Sequence, residues 1–180
     1  MTLFSKQHQE ILNGIINRNK LANCYLFHGQ KGSFIANAAV YFTSYLNCAK
    51  HIDEAPCRTC KSCTQIQEGS HVDVIQVQEE NKKITVDIIR KLQERVKYGP
   101  STTPHLMVII HNAYSMTDEA ANAFLKTLEE PPAGVCFVLL SENSLSLLPT
   151  IRSRSQSLGF PQVPYSELLD YIKSIYTDEK

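Results

Sequence analysis

The chain reads as an α/β protein, a parallel sheet covered by helices on both faces. Three observations predict this class. Leu106-Met-Val-Ile-Ile110 and Val135 to Leu140 are continuous apolar runs, the composition of strands buried on both sides. Segments with helical spacing alternate with such runs, and that alternation implies right-handed crossovers between parallel strands. A glycine loop, His28-Gly-Gln-Lys-Gly-Ser-Phe-Ile-Ala-Asn37, joins one apolar run to one amphipathic segment, in the order strand, loop, helix.

Taken in order, Thr2 to Lys20 places Ile11, Leu12, Ile15 and Ile16 at helical spacing and forms the first helix. Cys24-Tyr-Leu-Phe27 is the first strand. Beyond the glycine loop, Phe34 to Leu46 carries apolar residues at 34, 35, 38, 39, 42, 45 and 46, a second helix. Val72-Asp-Val-Ile-Gln-Val77 is β-branched and partly alternating, hence a strand. Thr85 caps a helix built on Ile88, Ile89, Leu92 and Val96 and stopped by Gly99-Pro100. Thr117 is an N-cap, and Asp118 and Glu119 suit the positive end of the helix that follows. That helix reaches Glu130 and ends at Pro131-Pro132. Gln156 to Phe160 is a short strand, and Tyr165 to Tyr176 a last amphipathic helix after Pro161-Gln-Val-Pro164.

Composition sets bounds on function. The 180 residues support one full core, or one domain and the start of another. Hydrophobic content of 43% and charged content of 20% are those of a soluble globular protein. Eighteen basic residues balance eighteen acidic ones, so no domain-wide attraction draws the chain to nucleic acid. Lys82-Lys83 and Arg90-Lys91 offer at most a local patch. No apolar run approaches the roughly 20 residues that span a bilayer. Nor does MTLFSKQHQE contain the apolar core of a secretory signal. A cytoplasmic location is the expectation, with no membrane partner.

Six cysteines in such a chain are ligands, nucleophiles or core residues rather than disulfides. Cys24 and Cys136 lie in apolar runs and read as small buried hydrophobes. Cys48, Cys57, Cys60 and Cys63 stand instead in a C-x8-C-x2-C-x2-C pattern. Four soft thiolates within sixteen residues suffice for a closed tetrahedral Zn²⁺ site, one ion per chain and structural rather than catalytic. An iron–sulfur cluster usually comes with a redox context absent from this sequence. Four free thiols in a loop are the other alternative, and His51 inside the loop is an alternative fourth ligand.

A working phosphate loop reads G-x-x-x-x-G-K-[ST]: backbone amides cradle phosphates, Lys reaches the β/γ-phosphates, and the hydroxyl holds Mg²⁺. Counted from Gly29, the second glycine position holds Phe34, the lysine position Ile35 and the hydroxyl position Ala36. Gly29 and Gly32 remain. Lys31 sits four residues before the lysine position, so no ATP is expected to bind.

A degenerate glycine loop, a four-cysteine module directly after its helix, and Asn122-Ala-Phe-Leu-Lys-Thr-Leu-Glu-Glu-Pro-Pro132 occur together in one family. The chain resembles the bacterial DNA polymerase III clamp-loader subunits, which are AAA+ proteins, from about Gln7 to Ser155. Within that family it is similar to the delta-prime branch, which does not hydrolyse ATP. The resemblance implies an AAA+ (P-loop NTPase-like) domain over residues 1–160, with the zinc module at about 47–66 inserted. Residues 161–180 would open a helical lid that continues, in the family, into a collar.

It also implies where the chemistry went. In ATPase relatives the strand matching Met107–Ile110 ends in Asp-Glu, one acid for Mg²⁺ and one for the attacking water. Here those positions are His111 and Asn112. Neither replaces an anion at a site that demands hard oxygen ligands. Ile151-Arg-Ser-Arg-Ser155 matches the family's Ser-Arg-Cys motif with Ser155 for the cysteine, which places Arg154 at the arginine finger that acts in trans on a neighbour's ATP. Arg152 carries no such register. The implied partners are clamp-loader ATPase subunits and the delta subunit, and through the complex the sliding clamp and primed DNA. Two rival readings are an active clamp-loader ATPase with divergent motifs and a zinc-dependent nucleic-acid-binding module.

Overall fold

The computed structural model describes residues 6–16, 21–52, 55–79 and 83–177. In chain order the elements are α1 (Lys6–Ile16), β1 (Cys24–His28), α2 (Ile35–Leu46), the two-residue strands β2 (His51–Ile52) and β3 (Ala55–Pro56), and α3 (Lys61–Gln67). Then come β4 (Val74–Val77), α4 (Val86–Val96), β5 (Leu106–Ile110), α5 (Asp118–Glu129), β6 (Val135–Ser141), α6 (Pro149–Ser153), β7 (Gln156–Gly159) and α7 (Tyr165–Thr177). Both ends expected for the first helix, and Lys82 of the basic patch, lie outside the described residues.

Apolar periodicity builds the sheet. Five strands pair in the order β4-β5-β6-β1-β7, and every pairing is parallel. Successive side chains point to opposite faces, so each strand feeds two cores. Leu106, Val108 and Ile110 pack with Ile89, Leu92 and Val96 of α4 and Phe124 and Leu128 of α5. Met107 and Ile109 pack on the other face with Leu12 and Ile15 of α1 and Ala38, Ala39 and Phe42 of α2. Strands covered on both faces must be apolar throughout, and every residue of β5 and β6 is buried. Tyr25, Phe27, Phe42 and Phe160 meet at centroid distances of 4.9–5.7 Å along the α2 face. Each such ring contributes roughly 1.5–3 kcal/mol by leaving water.

The strands come where the periodicity places them, with shifted ends. β4 starts at Val74 rather than Val72, because Asp73 turns inward to cap a neighbouring loop. α5 ends at Glu129, since Pro131 and Pro132 cannot continue a helix and Glu130 becomes its C-cap. The Thr117 hydroxyl accepts from the Ala120 amide as the N-cap pattern requires. Three elements escape periodicity through shortness: the β2–β3 hairpin, α3 and α6. β1 lies between β6 and β7, α2 leaves it toward one face, and α4 and α5 cover the other. Such a reversal opens a crevice at the carboxyl ends of the strands, and the glycine loop sits there.

Candidate functional site: cysteine centre, glycine loop and Arg154

The cysteine module docks on the outer surface of α2. Cys48 follows the end of α2, Cys57 follows β3, Cys60 caps α3 and Cys63 lies in its first turn. Together they bring four Sγ atoms within 4.8 Å of one another. A tetrahedral ion with metal–sulfur bonds of about 2.3 Å sets its sulfurs about 3.8 Å apart, so the cluster fits one ion with little adjustment. The Cys57 amide donates to Cys48 Sγ at 3.3 Å and the Cys60 amide to Cys57 Sγ at 3.3 Å. Arg58 takes the left-handed conformation, φ 59°, that turns the chain tightly enough for the second of these. Hydrogen bonding from the Thr59 backbone is the main cause that brings the Cys57 thiol down to about 6, while burial pushes Cys63 up. A dication at the centre of the four would favour all the thiolates at once. The set can hold a metal ion, and its soft, closed geometry is compatible with zinc. His51 turns away: its Nε2 lies 2.9 Å from the Tyr45 carbonyl, and its ring packs on that of Tyr45.

The glycine loop joins β1 to α2 and is held by backbone hydrogen bonds on both sides. The Gly29 amide donates to the Ser141 carbonyl of β6, and the Ser33 amide to Gln30. A Cβ at Gly29 would collide with the Ser33 hydroxyl and would lie 2.5 Å from the Phe160 carbonyl, so glycine is required there. Phe34, at the second glycine position, adopts φ 50°, ψ 40° and caps α2. A bulky residue rarely adopts this region, so the surrounding structure holds the turn against its own side chain. The segment after β7 pins the loop from outside: Val163 donates to the Gly32 carbonyl and Gln162 to that of Lys31.

One cleft of about 290 Å³ brings the glycine-loop positions together with His111 and Asn112. Its walls are the loop from Gly29 to Asn37, including Lys31, Ile35 and Ala36, with His111 and Asn112 from the end of β5 and Leu140, Ser141 and Glu142 from the end of β6. His111 Nε2 lies 3.1 Å from Gln76 Oε1, and burial lowers the imidazole below its ordinary value, which favours the neutral ring at pH 7. Asn112 takes the left-handed conformation, φ 48°, at the end of β5.

Arg154 is not among the residues lining that cleft. It caps the C-terminus of α6, exposed, beside the edge strand β7. One guanidinium nitrogen donates to Glu129 Oε1 at 2.7 Å and the other to the Thr150 carbonyl at 3.2 Å. Ser155 fixes the turn behind it, donating to the Ile151 carbonyl and sharing a 3.2 Å hydrogen bond with buried Cys24. Burial pushes the Cys24 thiol up to about 12, so it is inert, as its apolar run suggested.

Two residues were missed at the level of sequence. Asp73, wholly buried, accepts from the amides of Ser101, Thr102 and Thr103 and from the hydroxyls of Thr102 and Thr103 at 2.7–3.0 Å. Burial pushes its carboxyl up, but these donors outweigh burial and hold it well below the usual carboxylate range. An acid inside a β-branched run was the available signal. Glu129 is the other, and its signal was a place inside the Leu-Glu-Glu-Pro-Pro run.

A parallel five-stranded sheet between helices, with a glycine loop after β1, defines a P-loop NTPase-like fold. Solved structures agree: the RuvB Holliday-junction motor of Thermotoga maritima, in a single-residue mutant form, superposes with a TM-score of 0.62 at 12% identity, over 98% of this chain and 53% of that one. A DNA polymerase III gamma-subunit-related protein from the same organism reaches 0.69 at 28% identity, over 94% of this chain and 50% of that one. Residues 4–164 match the model of the family described as DNA polymerase III, delta subunit, and the chain belongs to that family as a clamp-loader AAA+ N-terminal region. Similar curated proteins from Bacillus subtilis are the DNA polymerase III subunit delta' (36% identity over 151 residues) and subunit tau (31% over 169). The chain spans 46% of the length of the first and 30% of the second, which cover 84% and 94% of it.

Proposed function

We propose that this chain is the N-terminal AAA+ part, residues 1–160 with the start of a helical lid at 161–180, of a delta-prime-type clamp-loader subunit that does not hydrolyse ATP. The observation that carries this reading is the cleft at the glycine loop. Ile35, Ala36, His111 and Asn112 surround it in place of the lysine, hydroxyl and two acids that ATP chemistry requires. Glu142 adds a carboxylate where a polyanion would sit, leaving Lys31 as the cation in the wall. The fold of a nucleotide switch is kept without its electrostatics. The subunit then serves as a rigid cytoplasmic stator for the ATPase subunits and the delta subunit that open a sliding clamp on primed DNA.

Within that assembly the cysteines at 48, 57, 60 and 63 hold one structural zinc ion, which closes the module and leaves no open coordination position. Arg154 supplies the reactive contribution in trans. A planar, permanently charged guanidinium stabilises the charge spread over a transferring phosphoryl group, worth about 10³–10⁵ in rate at the site it enters. Its place on an exposed edge, outside the chain's own cleft, supports action on a neighbour.

Two measurements test the reading. Calorimetry with millimolar Mg-ATP should give no binding heat, and tight binding would defeat it. In a loader reconstituted with the full-length subunit, Arg154→Ala should lower hydrolysis at the one adjoining site and reduce clamp loading, with folding and metal content unchanged. Wild-type hydrolysis and loading in that complex would leave an architectural subunit without a finger.

A further inference from the structure

Glu129, at the end of α5, pairs with Arg154 across two helices. Its carboxylate sits 2.7 Å from an Arg154 terminal nitrogen, with half of its side chain (52%) and 38% of the arginine exposed. Pairs this open contribute little to stability, so the contact is poorly explained as a fold-holding device. Glu129 is also the last residue of α5, where the helix presents its negative end and an acid is disfavoured. A basic partner from another element offsets that disadvantage.

The geometry fits bracing. The Thr150 carbonyl holds one terminal nitrogen of the guanidinium and Glu129 the other. Two anchors on different helices, α6 and α5, fix the plane of the fork, while the remaining N–H groups stay available for outside acceptors. Arginine carries large rotamer freedom, and a fork already held in place loses less of it on meeting a phosphate. Pro131 and Pro132, one residue beyond α5, stop the helix and leave Glu129 as its last residue.

We propose that Glu129 is the positioning residue for Arg154, orienting the guanidinium toward a phosphoryl group in the neighbouring subunit. This rests on the finger reading of Arg154, and its test separates the two. The full-length subunit is assembled into the loader with the other ATPase sites silenced, and single-turnover hydrolysis is followed at the adjoining site. Glu129→Ala should lower the rate about tenfold, as expected of a misplaced catalytic group, with the half-saturating ATP concentration unchanged. Glu129→Gln, which keeps an acceptor at the same reach, should recover part of that loss. In an Arg154→Ala background Glu129→Ala should change nothing further, because the residue acts through the arginine. An unchanged or faster rate in Glu129→Ala would overturn the proposal, a faster one showing that the contact restrains the finger. A further loss in the double variant would also overturn it, since Glu129 would then act independently. If Arg154→Ala itself were silent, the finger reading would fall and this one with it.

Discussion

The glycine loop and the cysteine module lie at opposite ends of α2 and hold their shapes by opposite means. The loop is held by its surroundings. β6 takes the Gly29 amide, the segment after β7 takes two loop carbonyls, and Phe34 stays in a left-handed conformation that its side chain opposes. The module is a pair of two-residue strands and a seven-residue helix, too short to stand alone, with Pro56, Cys57, Cys63 and Ile66 buried among its described residues. Its organising contacts run through the sulfurs. The loop's frame is built from contacts to neighbouring strands, whereas the module is organised around four donor atoms.

The largest test of that contrast is at the cysteines. Cys60→Ser should take metal content from about one ion per chain to near none and expose the amides from 48 to 67 to hydrogen exchange, while β5 and β6 stay protected. Full metal content with a protected module in that variant would show that the ligands lie elsewhere.

Asp73 sharpens the contrast from the side of the sheet. Asp73→Ala strands several buried donors and should cost about 3 kcal/mol in denaturant unfolding, with the metal retained. The folded carboxyl is depressed, so its contribution is present above the unfolded value near 3.9 and is lost as pH falls through the folded one. Wild-type stability should therefore decline from about pH 4 downward more steeply than that of Asp73→Ala. Parallel curves for the two proteins would remove Asp73 from the account.

Gly29→Ala asks whether the loop is as tightly framed as its contacts imply. The new Cβ meets the backbone carbonyl of Phe160, which must move, at a cost of roughly 2 kcal/mol. A neutral change would mean that the frame yields. The smallest expected effect is on nucleotide chemistry. Ile35→Lys combined with Ala36→Thr should fit the existing path of the loop yet produce no hydrolysis, because His111 and Asn112 still cannot organise Mg²⁺ and water. Turnover by that variant above the background of the parent chain would show that a frame without its acids suffices.

The two regions were unequally legible. Apolar runs and helical spacing are short-range properties of the chain, so the five core strands and the longer helices could be read directly, as could the four cysteines, whose clustering needs only tight local turns. The substitutions at Phe34, Ile35, Ala36, His111 and Asn112 were visible as residues out of register with a motif. That they surround one cleft depends on β1 and β5 lying on either side of β6, which is a matter of sheet order. Asp73 and Ser101 to Thr103, Glu129 and Arg154, and Cys24 and Ser155 pair across 28–30, 25 and 131 residues. Nothing in the local pattern specifies such partners, because each is chosen by where two separate elements end when the faces of the sheet are buried. Residue types and their spacing decided the class of fold and the donor set; the packing of α5 against α6, and of β7 beside β1, decided what Arg154 touches.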